Sequence, residues 1–364
     1  MHRLRQAVGH LHQAGGIFIE QLKKIWEWTG GVNEVKSRQV LREPPLAGQA
    51  EIRIEAIGIC GTDLHIMGGQ ARFGPPPLPL GHELSGTVMR LGDGTRGWSV
   101  GDRVCIDPLI GCGHCAQCRA GNKHRCPDAG EIGLHYPGGW QQYLTIPASN
   151  LYKLPDEISL EAASQAETLH CCLGGIDKLS IRLGMQATVV GDGPTGLYYV
   201  QLLKAAGVGK VTLIGLQEHR LQLGRALGAD LGLNAGRADV EVLTLANSQD
   251  IVIDAAGTER SVRTSIELLK SGGQLLVFGL PGNPILVDVS TVVLKELTLM
   301  GSTNAPHVWP RVIEMLAGGT VRVNPLITRR YSFDRLDEAL AFARDPASEA
   351  VKVIVTELRE EART

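Results

Sequence analysis

The sequence predicts an α/β protein whose second half winds a parallel sheet with helices on both faces, the doubly wound arrangement. Two observations carry that expectation. The stretch ATVVGDGPTGLYYVQLLKAAG is a short apolar strand, then Gly191, Gly193 and Gly196 in GxGxxG spacing, then a helical pattern. Beyond it, strand and helix segments alternate to about residue 300, as a parallel sheet with crossover helices requires. A third observation concerns the first half, where Cys, His and Glu residues gather at metal-ligand spacings.

Composition bounds the reading. The chain has 364 residues, enough for two domains of ordinary size, and is 43% hydrophobic. No apolar run approaches the ~20 residues a membrane span needs. Thirty-six Lys and Arg nearly balance 38 Asp and Glu, so no global field favours nucleic acid or an anionic membrane. Forty-five Gly suit tight turns and close ligand approach. A soluble, cytoplasmic enzyme acting on a small molecule is expected.

Residues 1–21 read as a leader or extension, with two Arg, three His and no acid before Glu20; a targeting segment is the rival. The first strand is expected near Leu22. The stretch GICGTDLH then sets Cys60, Thr62, Asp63 and His65 together, and further along comes GHE with His82 and Glu83. A Cys, a His and a carboxylate suit zinc. Singly each has a dull explanation in packing or capping, but they co-occur beside Gly turns.

Next comes CGHCAQCRAGNKHRC, whose Cys112, Cys115, Cys118 and Cys126 are separated by two, two and seven residues. One loop of that spacing can wrap four thiolates tetrahedrally around a structural Zn²⁺. A disulfide framework and an iron–sulfur cluster are the rivals. Four thiolates on Zn²⁺ leave two negative charges, which Arg119, Lys123, His124 and Arg125 can offset. A nucleic-acid-binding zinc module is disfavoured, because the rest of the chain is not basic.

The stretch ETLHCCLGGI, from Glu167 to Ile176, offers three further ligand types. After it the nucleotide-binding half begins. The fingerprint follows a strand at Thr188–Val190 and opens a helix with Pro194 in its first turn, beside Thr195. Backbone amides there can hold a pyrophosphate at the positive end of the helix. The segments expected next are strand Val211–Ile214, helix Glu218–Leu227, strands Asp230–Leu233 and Asp250–Asp254, helix Glu259–Leu269, and strands Gln274–Phe278 and Leu297–Met300.

In combination and in order, GICGTDLH, GHE, the four-Cys loop, VVGDGPTG and LLKSGGQLLVFGLPG resemble the zinc-dependent medium-chain alcohol/polyol dehydrogenase family. The likeness runs from about residue 22 to the C-terminus. It implies a GroES-like, β-rich catalytic domain over 22–168 with a structural zinc lobe, and a Rossmann domain over 169–304. Residues 305–364 would return to the catalytic domain. It further implies two Zn²⁺ per chain, one catalytic and one structural, an alcohol substrate, NAD or NADP, and a homodimer or homotetramer.

The resemblance also assigns the stretch at 167. Family members carry a zinc ligand or near-ligand at a set distance before the first Gly of the fingerprint, and counting back from Gly191 lands on Glu167. That matches the sorbitol-like branch, which has Glu where classical alcohol dehydrogenases have Cys. Cys171 or Cys172 is the rival ligand; otherwise His170, Cys171 and Cys172 pack. The catalytic set would be Cys60, His82 and a carboxylate, with Glu83 and Glu167 able to exchange. Such a site keeps an open position and makes an alcohol easier to deprotonate. By the same resemblance Thr62 accepts the hydroxyl proton, His65 passes it on, and Asp63 fixes the tautomer of His82.

One position departs from the family. NAD-dependent members end the second Rossmann strand in Asp or Glu, which binds the adenosine ribose. Here that strand ends in Gly215, followed by Leu216, Gln217 and Glu218. Arg220 can reach either ribose, Glu218 disfavours a phosphate, and dual cofactor use with a lean to NAD is expected. The substrate expected is a secondary alcohol: a polyol, sugar or cyclic alcohol. A primary-alcohol or threonine-type dehydrogenase and a catalytically inactive zinc-stabilised binding protein are the alternatives.

Overall fold

The computed structural model describes residues 21–71, 73–236, 242 and 244–356. Apart from Gln21, the expected leader lies outside the described residues. A hairpin of β1 (Leu22–Trp28) and β2 (Val35–Leu41) opens the chain. Its Trp26 indole N–H donates to the Phe333 carbonyl, which ties the hairpin to the far end of the sequence.

The first half builds an antiparallel sheet around β3 (Gln49–Gly58) and β4 (Glu83–Leu91), with β5 (Arg103–Ile106) beyond β4. Two short strands, β6 (Leu109–Ile110) and β7 (Gly130–Glu131), close the base of the four-Cys loop. β8 (Tyr143–Pro147) pairs with β3 and β9 (Leu151–Lys153) with β5.

Six parallel strands form the second sheet: β10 (Gln186–Val190), β11 (Lys210–Gly215), β12 (Leu231–Asn234), β13 (Gln249–Asp254), β14 (Leu269–Val277) and β15 (Thr298–Gly301). Their spatial order is β12-β11-β10-β13-β14-β15. The direction of winding reverses between β10 and β13, and Val190 lies beside both Ile214 and Asp254 at the carboxyl ends. In open α/β sheets the crevice for a dinucleotide lies at that switch point. Ala187, Val189, Val211, Leu213, Ile251 and Ile253 are fully buried, as strands covered on both faces must be.

The C-terminal region crosses back. β17 (Lys352–Thr356) pairs antiparallel with β3 and parallel with β16 (Ile327–Ser332), joining the first sheet. One apolar cluster runs from Cys105 and Leu154 through the helix Ala166–Ile176 to Val189, Leu197 and Trp309, so the helix bearing Glu167 is packed between the two sheets. This is the GroES-like plus Rossmann architecture. Among the described residues no helix is long and apolar enough to cross a membrane.

Candidate active site and zinc-binding loops

Cys60 leaves β3 in extended conformation and caps the helix Gly61–Met67. Asp63 in the first turn of that helix is fully buried and holds three neighbours. Its Oδ2 accepts from the Cys60 N–H at 3.0 Å, its Oδ1 accepts from the Gly81 N–H at 3.3 Å, and Oδ1 stands 3.4 Å from His82 Nδ1. One carboxylate thus ties the Cys60 turn to the His82 turn, which the sequence keeps well apart. A ligand nitrogen of His82, the Cys60 sulfur and a Glu83 oxygen all fall within 4.8 Å of one another. Burial opposes a charge on His82, but Asp63 and Cys60 outweigh it and raise the imidazole pKa well above its ordinary value. Groups that favour a proton there also favour a metal cation, so the donor set fits zinc.

Glu83 is fully buried at the start of β4 and is not free. Its Oε1 accepts from Lys352 Nζ at 2.6 Å and from Thr168 Oγ1 at 2.7 Å, and its Oε2 lies 2.5 Å from the same ammonium. Lys352 stands on β17, contributed by the returning C-terminal segment. Sequence reasoning missed it. A lone Lys in VKVIV carries no visible signal, because its partner lies 269 residues away.

Glu167 occupies the first turn of its helix, beside rather than inside the Cys60–His82–Glu83 group. Its ligand oxygen groups instead with His170 and Cys171. Oε1 faces Cys171 Sγ at 3.6 Å and Oε2 faces Thr168 Oγ1 at 3.5 Å. Burial pushes its pKa up to about 7, with His82 opposing and Glu83 and Glu131 adding to the rise. His170 stacks on Trp309 with ring centroids 4.5 Å apart, and Cys172 is fully buried; both pack as expected. Cys171 is half-buried and faces Glu167 rather than the core. Thr62 is half-buried and His65 exposed, three residues apart and therefore on one face of their helix.

In the four-Cys loop the sulfurs of Cys112, Cys115, Cys118 and Cys126 all lie within 4.8 Å of one another. Backbone N–H groups point at them: Cys115 N–H to Cys112 Sγ at 3.4 Å, Cys118 N–H to Cys115 Sγ at 3.4 Å, and Cys112 N–H to Cys126 Sγ at 3.5 Å. Such donors favour thiolates, and the amides of His114 and Cys115 draw the Cys112 pKa down to about 6. A closed set of four sulfurs fits a structural zinc. Lys123, one of the cations expected to offset the thiolates, is instead paired at 2.7 Å with the buried Asp107.

The fingerprint sits at the carboxyl end of β10. Gly191 adopts φ +121°, a backbone region that side chains rarely enter. A Cβ on Gly196 would strike the Gly191 carbonyl, so helix and strand pack at contact distance. No atom stands within 4 Å of a Cβ on Gly193, so ligand can approach the backbone there. Gly193 caps the helix Pro194–Ala205, with Pro194 in its first turn and Thr195 after it. The cradle fits a pyrophosphate. Tyr198 on the same helix donates to Gln165 at 2.7 Å, which couples the cradle to the segment bearing Glu167.

At the end of β11 the structure adds what the sequence did not reveal. The Asp192 carboxylate, from between the first two fingerprint glycines, lies against Gly215 and accepts from the Leu216 and Gln217 N–H groups, each at 2.8 Å. Arg220 approaches it, with Nη1 3.9 Å from Oδ1, while its Nη2 donates to the Ala350 carbonyl.

Comparison with known proteins agrees with this geometry. Residues 46–156 match the alcohol dehydrogenase GroES-like domain, and residues 194–318 match the zinc-binding dehydrogenase domain. A D-arabitol-phosphate dehydrogenase from Enterococcus avium is 31% identical over 319 residues, covering 85% of this chain and 90% of that protein. An L-threonine 3-dehydrogenase from Colwellia psychrerythraea is 29% identical over 317 residues, covering 84% of this chain and 92% of that protein. A solved zinc-binding dehydrogenase from Sinorhizobium meliloti, bound to NADP, superposes with a TM-score of 0.86 at 31% identity over 92% of this chain and 99% of that one. With both domain models matched and relatives aligned over most of its length, the chain belongs to the zinc-dependent medium-chain dehydrogenase family and is an NAD(P)-dependent oxidoreductase.

Proposed function

We propose that this dehydrogenase oxidises a secondary alcohol of a polyol, sugar or cyclic alcohol, with hydride passing to NAD(P). The grouping of Cys60, His82 and Glu83 donors, with Glu83 bonded to Thr168 on the helix next to Gln165 and Gln165 bonded to Tyr198 of the fingerprint helix, is the observation that carries the reading. Cys60 and His82 would hold a catalytic zinc, with Glu83 or Glu167 as the carboxylate, and the four-Cys loop a structural one. When bound, the catalytic zinc supplies Lewis acidity that eases loss of an alcohol proton. Asp63 faces His82 Nδ1 and so keeps Nε2 available as a ligand. The Thr62 hydroxyl takes the substrate proton as it gives up its own, and His65, exposed on the same face of the helix, hands a proton on to water.

The relatives support a secondary carbinol. Carbon 3 of threonine bears one, and an arabitol chain has three, so two relatives with different substrate names share that chemistry. Purified protein should therefore reduce NAD or NADP with members of a panel of polyols, sugars and cyclic alcohols. The L-threonine relatives make L-threonine the second reading, and primary alcohols are the third arm of the panel. Turnover confined to L-threonine or to primary alcohols would refute the polyol assignment. Absence of turnover with the polyols, sugars and cyclic alcohols of the panel would likewise refute that assignment.

Glu167→Ala should weaken zinc retention or lower kcat by roughly 10–100-fold, the usual cost of losing a ligand or the group behind one. Cys171→Ala should retain most activity, since the half-buried thiol contributes contact rather than charge. Zinc lost from the Cys171 variant but kept by Glu167→Ala would reverse the assignment.

The chain is also expected to self-associate. β15 is the edge strand of the parallel sheet, and in the segment leading into it Leu286, Val289, Val293 and Leu294 are exposed apolar side chains. A second copy related by a two-fold axis covers this edge and these side chains on both chains at once. Light scattering should give a dimer or tetramer, and Val293→Asp with Leu294→Asp should give a monomer. A monomeric wild type would dismiss the interface.

A further inference from the structure

We infer that Asp192 is the residue that sets cofactor specificity in this chain, and that it does so in favour of NAD. The inference rests on the dinucleotide occupying the β10–β13 crevice and goes beyond it by naming the discriminating group. Gly215 stands where an acid at the end of β11 would read the adenosine ribose. Taken alone, that glycine leaves the ribose without an acceptor. The structure shows why it is glycine: a Cβ there would overlap the Asp192 side chain. The carboxylate has moved from the end of the second strand to the loop after the first, and occupies much the same space.

Three features make Asp192 selective rather than only structural. Its Oδ2 already takes both the Leu216 and Gln217 N–H groups, which precede the helix Glu218–Ala226. Those are the amides a ribose 2′-phosphate would otherwise recruit at a helix N-terminus. Among the described residues the cation nearest Oδ1 is Arg220, whose Nη1 stands 3.9 Å away, so a ribose hydroxyl can donate to this oxygen. The side chain is only 11% exposed, where water screens its charge weakly against a phosphate carrying about two negative charges. Arg220 is anchored by one Nη2 N–H to the Ala350 carbonyl and turns Nη1 towards Asp192, so its charge is already shared with a carboxylate that a phosphate would have to displace.

The geometry also predicts that the simplest repair fails. Gly215→Asp should not sharpen NAD use, since the new side chain collides with Asp192. The acid can be restored at 215 only where Asp192 is removed.

The test compares wild type, Asp192→Asn, Gly215→Asp and the double variant Asp192→Gly/Gly215→Asp. Fragment binding is measured by calorimetry with 5′-AMP and 2′,5′-ADP, and kcat/KM with NAD and NADP. Wild type should bind 5′-AMP more tightly and prefer NAD. Asp192→Asn keeps the shape and removes the charge, and should shift the NAD-to-NADP ratio by roughly tenfold towards NADP. That shift should appear in KM rather than kcat, because the group lies far from the reacting carbon. Gly215→Asp should lose affinity for both fragments, and the double variant should regain 5′-AMP binding and NAD preference. Tighter binding of 2′,5′-ADP by wild type, or an Asp192→Asn ratio within about twofold of wild type, would overturn the assignment. Wild type that binds neither fragment nor either dinucleotide would overturn both the assignment and the cofactor reading beneath it.

Discussion

Cys60→Ser should leave a folded protein that carries one zinc fewer per chain and has no measurable turnover. The Cys60 sulfur caps a helix whose geometry is held independently, because the Asp63 carboxylate accepts from the residue-60 backbone N–H whatever side chain stands there. Fold and ligand are therefore separable at this position. Metal polarisation contributes several kcal/mol to a reaction of this kind, so its loss should cost at least roughly a thousandfold in kcat. Cys115→Ser should do the opposite. Three sulfurs of that loop, those of Cys112, Cys115 and Cys126, accept backbone N–H groups from the loop's own cysteines, and from Cys112 to Cys126 only Cys126 itself is buried. With so little apolar burial, the loop depends on its metal for shape, and losing one thiolate should lower the urea midpoint or solubility. Elemental analysis with circular dichroism separates the two variants. Fully active wild type containing a single zinc per chain would refute the two-site assignment.

The parallel sheet was legible because its strands are buried on both faces and so read as short apolar runs between Gly and Pro signals. Expected and observed boundaries for β10 to β13 agree within two residues. β14 begins at Leu269, ahead of the expected Gln274, because Leu269 already pairs with Gln249 before a register shift. In the first sheet β3 does alternate, with Ala50, Ile52, Ile54 and Ala56 set against Glu51, Arg53 and Glu55, but a two-residue period marks a strand without fixing its partners, and only the resemblance suggested the fold.

The site divides in the same way. Cys spacing is a local signal, and the four-Cys loop could be read from it directly. Groups defined by long-range contact could not. Asp192 meets the residues after Gly215 from 24 positions away, and in the sequence it looks like a variable fingerprint position. Glu83 announced itself as a ligand in GHE, yet the structure finds it already held by Thr168 and Lys352. Burial of a charge and identity of its partner are tertiary facts, and no pattern within a short window encodes them.

Lys352→Met should destabilise the protein by about 3–5 kcal/mol, the cost of breaking a buried ion pair from one side. Lys352 is 2% exposed and Glu83 is fully buried, so neither charge is relieved by water. Burial pulls the ammonium pKa down, but Glu83, with Cys60 adding, outweighs it and keeps the lysine charged. Removing the ammonium leaves the Glu83 carboxylate with only the Thr168 hydroxyl, inside a pocket that already contains Asp63 and Glu167. The carboxylate then stands without its counterion in the donor group of Cys60 and His82, so metal affinity should change along with stability. The double variant Lys352→Met/Glu83→Leu removes both charges, and should recover most of the loss because an apolar pair of similar volume can replace a buried ion pair at little cost. Urea unfolding of the zinc-loaded protein, monitored by Trp fluorescence, measures all three. The pair is refuted as a mutual dependence if Lys352→Met lies within about 0.5 kcal/mol of wild type, or if the double variant is as unstable as the sum of its parts. Recovery in the double variant would show that Glu83 needs Lys352 chiefly as a counterion, and that β17 secures the catalytic pocket through one charge.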